Sequence, residues 1–243
     1  VILPLVPALA ASSPIYDGKV HQTQDARLEF YKKNQLKVPI IAGDIIPERV
    51  TSMQNYHDVI LSNIYNEIAV HDSDNILKED WLNSRGAIAR FERQSIEIRL
   101  MDIQECPLAD CAIIEFIVHI LKVLCLGKWI SFDSQQSQTS LSLKNMLDLN
   151  IQEAETTVFK DQSFAKFWGC ETAKTSKDLL QYLFERTNFK KAASDPRIAE
   201  HIELILDQGS LATRMKSRLK TQDILSLYQR LSNCLAENQS FKP

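Results

Sequence analysis

The sequence predicts an α+β fold, and three observations carry the prediction. The stretch 95–101 alternates between polar and apolar side chains through Leu100, the period of a half-buried strand. Several longer stretches repeat apolar residues every three or four positions between recognisable caps, the period of amphipathic helices. Glycine is scarce, with 6 in 243 residues against a usual share of about 7%. That scarcity favours helices and excludes the Gly-rich phosphate loops of dinucleotide and P-loop folds; neither G-x-G-x-x-G nor G-K-[ST] occurs.

The elements follow in chain order. Val1 to Ala11 is almost wholly apolar with Pro4 and Pro7; it is too short to span a membrane and lacks a basic leader. It reads as a buried helix of a chain entered in mid-protein. Tyr56, Ile60, Ile64 and Ile68 mark a helix over roughly 53–70. Between 95 and 101, Ile96, Ile98 and Leu100 point one way while Ser95, Glu97 and Arg99 point the other, so Ile96 and Ile98 are expected to face helices. Pro107 opens a strongly apolar helix over about 108–126. The apolar run from Ile113 to Ile130 contains Glu115, His119, Lys122 and Lys128, so it reads as a core helix and not a membrane span, with His119 a packed histidine.

Ser131 to Ser140 is Ser/Gln-rich and reads as an exposed connector. Three further helices follow: one after Ser176, one capped by Asp195 with Pro196 in its first turn and ending near Gly209, and one after Thr221. The division is therefore a sheet-and-helix part, 1–130, and a helical part, 131–243.

Composition narrows the function classes. A net charge of −3 leaves no bulk positive charge for nucleic acid. Five cysteines without a C-x-x-C spacing support neither a zinc ribbon nor a disulfide framework, and Cys111 and Cys125, inside apolar runs, read as small buried hydrophobes in a reducing, cytoplasmic setting. The five histidines lack metal-ligand spacing. His71-Asp72-Ser73-Asp74-Asn75 lacks the glycine and closing Glu of a calcium loop and reads as a turn. Trp81 and Trp129 read as packing residues.

The stretch with chemical content is Asn83 to Asp102, with arginines at 85, 90, 93 and 99 around the alternating strand. Glu97 and Arg99 share a face about 7 Å apart. Spacing alone leaves two readings open: an exposed ion pair of little energetic weight, or a carboxylate that holds a divalent metal beside an arginine that grips anionic oxygens. Spacing alone favours the first.

Ile96-Glu97-Ile98-Arg99-Leu100-Met101-Asp102 resembles the strand signature (I/L)E(F/V/I)R-x-x-D of the glutamine-synthetase-like superfamily, and within it the bacterial type 2 glutamate–cysteine ligase and carboxylate–amine ligase family. Three other stretches agree in order: Leu9 to Gly18 with Arg27 downstream resembles L-x-A-S-S-P-(F/Y)-x-x-G…R, Arg85-Gly86 resembles the approach to the strand, and Ile205 to Arg214 resembles I-L-x-x-G-(T/S)-x-A-x-R. Two departures accompany these matches: Ser95-Ile96-Glu97-Ile98-Arg99 stands for a common Thr-Leu-Glu-Phe-Arg, and His21-Gln22-Thr23-Gln24 for a common Thr-Gly.

The resemblance covers the C-terminal portion of the family and implies part of a glutamine-synthetase-like antiparallel sheet faced by helices. It implies ATP- and Mg²⁺-dependent activation of a carboxylate, typically the γ-carboxylate of glutamate, followed by attack of cysteine or another amine. On it, Glu97 is the expected metal ligand, Arg99 and Arg85 the catalytic cations, and Arg27 the group binding a substrate carboxylate. Arg90 and Arg93 are expected in structural ion pairs. The implied partners are small molecules, with neither nucleic acid nor membrane, and a homo-oligomer is left open. The 243 residues alone are expected to be inactive, and to show an unpaired sheet edge or an apolar patch. The alternatives are a non-catalytic helical interaction module and the same ligase chemistry with a different amine.

Overall fold

The computed structural model describes residues 1–243, and helices dominate it. A short 3-10 turn, Leu3–Leu5, runs into α1 (Val6–Ala10), and every residue of both is buried. A two-residue hairpin, β1 (Ile15–Tyr16) and β2 (Lys19–Val20), precedes α2 (Ala26–Tyr31). The periodic stretch at 53–70 is helical as predicted, as α3 (Met53–Tyr56), a π turn over His57–Leu61, and α4 (Ser62–Ile68). Tyr56, Ile60, Ile64 and Ile68 form the heart of a separate small apolar cluster.

The second hairpin pairs β3 (Ala87–Arg90) with β4 (Ser95–Ile98), antiparallel and in the register Ala87 with Ile98 through Arg90 with Ser95. Each hairpin is a sheet of two strands, so the outer edges of β3 and β4 carry no strand. The predicted facing of Ile96 and Ile98 needs correction. Ile98 packs against the main core, but Ile96 is 68% exposed. It lies near the turn end of the hairpin, in the second residue of β4. Leu100, past the end of the ladder, is fully buried.

α5 (Pro107–Cys125) is the long apolar helix, turning Ala109, Ala112, Ile113, Phe116, Ile117, Ile120 and Leu124 inward. Cys111 and Cys125 lie on its outer side and are exposed, while Cys106 and Cys170 are the buried cysteines; the expected burial of Cys111 and Cys125 is thus corrected by helical phase. The expected connector is partly ordered as α6 (Phe132–Ser137), because the Ser131 side chain caps it at Ser134 N. Thr139 then caps α7 (Ser140–Glu153), and α8 (Ser163–Phe167) follows.

α9 (Ser176–Arg186) begins from a reciprocal capping box of Thr175 and Asp178. After α10 (Phe189–Ala192), α11 (Pro196–Gln208) has Asp195 at its N-cap and Pro196 in its first turn, and ends at Gly209, as predicted. Gly209 has φ +90°, and a β-carbon there would collide with the Glu155 carboxylate. α12 (Leu211–Arg218) and α13 (Ile224–Glu237) complete the chain; Asp223 caps the last helix. A core of 37 buried side chains joins α1, α5, α7, α9 and α11 and draws on both sides of residue 130. No helix is long and apolar enough to cross a membrane.

Candidate active site

The segment from Glu97 to Glu105 carries three carboxylates, and each is met by arginine. Extended, those eight steps span at most about 26 Å. The three clusters follow one another along this one segment.

At the hairpin end, Glu97 accepts a hydrogen bond from Arg99 Nε at 2.9 Å on one oxygen and from Arg90 Nη1 at 2.8 Å on the other. The pleat explains the Arg99 contact, since residues two apart share a face. The ladder explains Arg90, which sits diagonally across from Glu97. Partial burial alone would raise the Glu97 carboxyl, but the hydrogen bonds and charges of Arg99 and Arg90 outweigh it and hold the group below the usual carboxylate range. Arg99 is further fixed by two main-chain carbonyls, Asn83 O at 2.9 Å and Trp81 O at 3.3 Å. Arg90, expected in a structural ion pair, is paired with Glu97 and has Asp80 3.6 Å from its Nε, which makes it the second guanidinium of this cluster. Trp81 is half exposed here rather than packed.

In the middle, Asp102 accepts from the Ser13 hydroxyl and lies 3.1 Å from Arg27 Nε. Arg27 Nη2 donates to Leu100 O at 2.8 Å, which leaves Nη1 without a protein partner. The Ser12 hydroxyl binds Ile103 O at 2.7 Å. The Ser12-Ser13 segment, Arg27 and Asp102 were separate motifs in the sequence; the fold joins them. Beneath them Asp25 caps α2 through Leu28 N at 2.8 Å, and burial pushes its carboxyl up to about 7.

At the far end Glu105 pairs with Arg214 at 2.8 Å, both side chains fully enclosed. Glu105 also accepts from Phe241 N, and Arg214 donates to Phe241 O. The tail is stitched to this pair by the ring of Phe241, the Ser240 hydroxyl on His201 Nδ1 at 2.6 Å, and Arg230 on Lys242 O. Burial pushes the His201 imidazole down to about 4. Sequence reasoning missed this cluster. Its signal was Arg214 at the end of the late motif.

Arg85 does not join these clusters. It is fully buried, paired with Glu48 through Nε and Nη2, and its Nη1 binds Ile40 O and Asn83 Oδ1. A β-carbon at Gly43 (φ +54°) would stand 2.9 Å from its Nη2. Arg85, expected as a second catalytic cation, is thus placed inside the protein and away from the Glu97 cluster. With its donors spent inside the protein, Arg85 anchors the chain at the base of the hairpin.

The donor set fits a magnesium ion poorly. Both Glu97 oxygens are held by guanidinium groups, and no group of three His, Cys, Asp or Glu side chains is placed to hold a metal. The charge of Glu97, the expected metal ligand, is offset here by two guanidinium groups. The arrangement suits anions instead, because one carboxylate orders two guanidinium forks on an accessible surface. The larger grooves lie elsewhere, one of about 550 Å³ along α7 and one of about 930 Å³ between α11, α13 and the tail.

Comparison with known proteins agrees with the motif order. A protein of Archaeoglobus fulgidus described as uncharacterized is 31% identical over 245 aligned positions, covering 99% of this chain and 58% of the relative. The chain thus spans a little under three fifths of the length of the relative it matches. No solved structure matches it. The family model of glutamate-cysteine ligase family 2 matches residues 1–224, and the chain belongs to that family.

Proposed function

We propose that the protein takes part in ATP-dependent ligation of a carboxylate to an amine, with glutamate as the carboxylate substrate and cysteine as the favoured amine. The observation that supports this reading is the Glu97 cluster, in which one carboxylate holds the guanidinium groups of Arg90 and Arg99. Forming an acyl phosphate concentrates negative charge on phosphoryl and carboxylate oxygens, and preordered cations that offset it lower the barrier. ATP enters as a substrate and supplies the phosphoryl group. Arg99, pinned by Glu97 and two carbonyls, presents a cation that needs no reorganisation. Arg27, with Nη1 free, is placed to hold a substrate carboxylate. Glu97 keeps both forks in register.

The same reading treats β3 and β4 as two strands of a larger glutamine-synthetase-like antiparallel sheet, pairing further along the open hairpin edges. Family membership over 224 of 243 residues supports the ligase class; the choice of cysteine rests on the family's description. The test is ADP release measured with glutamate and a panel of amines, on this chain and on the longer Archaeoglobus fulgidus relative side by side. Release that requires both glutamate and an amine in either protein supports the reading, and the best amine identifies the acceptor. Absence of any stimulation in both proteins refutes it.

A further inference from the structure

Arg99 owes its orientation to a turn, and one buried side chain anchors that turn. Two of the three guanidinium nitrogens of Arg99 donate to the carbonyls of Trp81 and Asn83. Those carbonyls lie in the 3-10 turn Asp80–Leu82 and the residue after it, outside any ladder and held by the backbone bonds of Leu82 N to Glu79 O and Asn83 N to Asp80 O. Asn83 adds a side-chain anchor to these. It is fully buried, and its side chain uses both ends. Its Oδ1 accepts from Arg85 N at 3.2 Å and Arg85 Nη1 at 3.0 Å, while its Nδ2 donates to the Tyr56 hydroxyl at 2.8 Å.

Each partner is itself fixed. Glu48 grips Arg85. The Tyr56 hydroxyl also accepts from Ala89 N on β3 at 3.1 Å, and its ring stands edge-on to Phe91 in the hairpin turn. Asn83 is thereby bolted to Arg85 on one side and, through Tyr56, to β3 on the other.

We propose that Asn83 is a positioning residue for Arg99: through its anchored side chain it sets the carbonyls that aim the Arg99 guanidinium at an anionic group. The inference rests on the reading of Arg99 as the group that meets phosphoryl or carboxylate oxygens, and it adds a residue with no substrate contact of its own.

Two substitutions separate the role from mere folding. Asn83→Ala removes both anchors. Asn83→Asp keeps the acceptor for Arg85, and its second oxygen can accept a hydrogen bond donated by Tyr56, so the turn keeps its shape. The readout independent of activity is the pair of Nη–H signals of Arg99 by NMR, the hydrogens that meet the two carbonyls, assigned by their loss in Arg99→Lys, and their exchange rate with water. Asn83→Ala is expected to speed that exchange by about 10-fold or more, with Asn83→Asp close to the parent. Arg214 Nε–H, buried far from the hairpin, serves as the control and is expected to be unchanged in both.

In the ADP-release assay, Asn83→Ala is expected to lower kcat by about 10–100-fold, the scale of a misplaced catalytic group. It should cost little more in an Arg99→Lys background, since a residue acting through Arg99 has nothing left to position. Unchanged Arg99 exchange in Asn83→Ala, or a parallel rise at Arg214, overturns the proposal, as does failure of Asn83→Asp to restore the signal. If the exchange results hold and no ADP release is seen in the intact, full-length protein, the ligase reading fails while the positioning role stands.

Discussion

Asp25→Asn turns a buried proton site into a neutral one without removing the helix cap, because Asn and Asp cap equally well. Asp25 is fully buried; its Oδ1 accepts from Leu28 N and its Oδ2 has no partner. Burial raises its carboxyl from 3.8 to about 7, opposed by the Leu28 hydrogen bond and Arg27 and reinforced by Asp102. Between those two values the folded protein keeps a proton that the unfolded chain has released. The stability this proton contributes is fully present below pH 3.8 and is lost as pH rises through 7. Integrating from pH 5 to pH 8 gives a loss of roughly 2–3 kcal/mol in the parent that the Asn variant cannot show. At about 2–4 °C per kcal/mol for a chain of this length, the difference in melting temperature between variant and parent should grow by roughly 5–10 °C over that interval, in favour of the variant. His201 titrates with the opposite sense. Its depressed value makes stability fall as pH drops from 6.5 toward 4, but it is common to both proteins and cancels in the difference. Thermal melts of the pair at half-unit steps decide the matter. A variant-minus-parent difference that is flat from pH 5 to pH 8 would refute the reasoning.

Three further outcomes follow from the same structure. Glu105→Gln leaves Arg214 buried without its counter-charge and should cost about 3–5 kcal/mol by denaturant unfolding; a cost below about 1 kcal/mol would mean that the Phe241 carbonyl suffices for Arg214. Gly209→Ala places a β-carbon against Glu155 at φ +90° and should cost about 1–3 kcal/mol, whereas Gly127→Ala, with an ordinary 3.4 Å approach to Phe132 at φ +61°, should cost less. Thr175→Ala removes the capping box of α9 and should cost about 1 kcal/mol, read in the same unfolding assay.

Much of the helical framework was legible because its signals are local. Asp195, Pro196 and Gly209 delimit α11 to the residue, and the apolar spacing of α5 names its buried face. What escaped the sequence was set by distance along the chain. Arg85 has its partner Glu48 37 positions away, so nothing near Arg85 announces that its charge is spent. Asp102 meets Ser13 across 89 positions, and Arg214 meets Glu105 across 109. Ile96 shows the other limit. Alternation fixes which face a side chain takes, but whether that face is covered depends on what packs against it. Cys111 and Cys125 lie in an apolar run, yet the helix turns both outward, since composition carries no phase. Glu97 and Arg99 were found by spacing and resemblance, while Arg90 entered only with the register of the hairpin.

The central claim is that the Arg99 fork, ordered by Glu97 and the 81–83 turn, meets the anionic group on which the reaction turns. Arg99→Lys keeps the charge and loses the planar fork that reaches Glu97 and both carbonyls at once. The direct measurement is glutamate- and amine-dependent ADP release by the intact, full-length protein and by its Arg99→Lys variant at saturating ATP, each with its melting curve. The account predicts a fall in kcat of about 100-fold or more with a melting temperature within a few degrees of the parent. Parental turnover by the folded Arg99→Lys protein would contradict it.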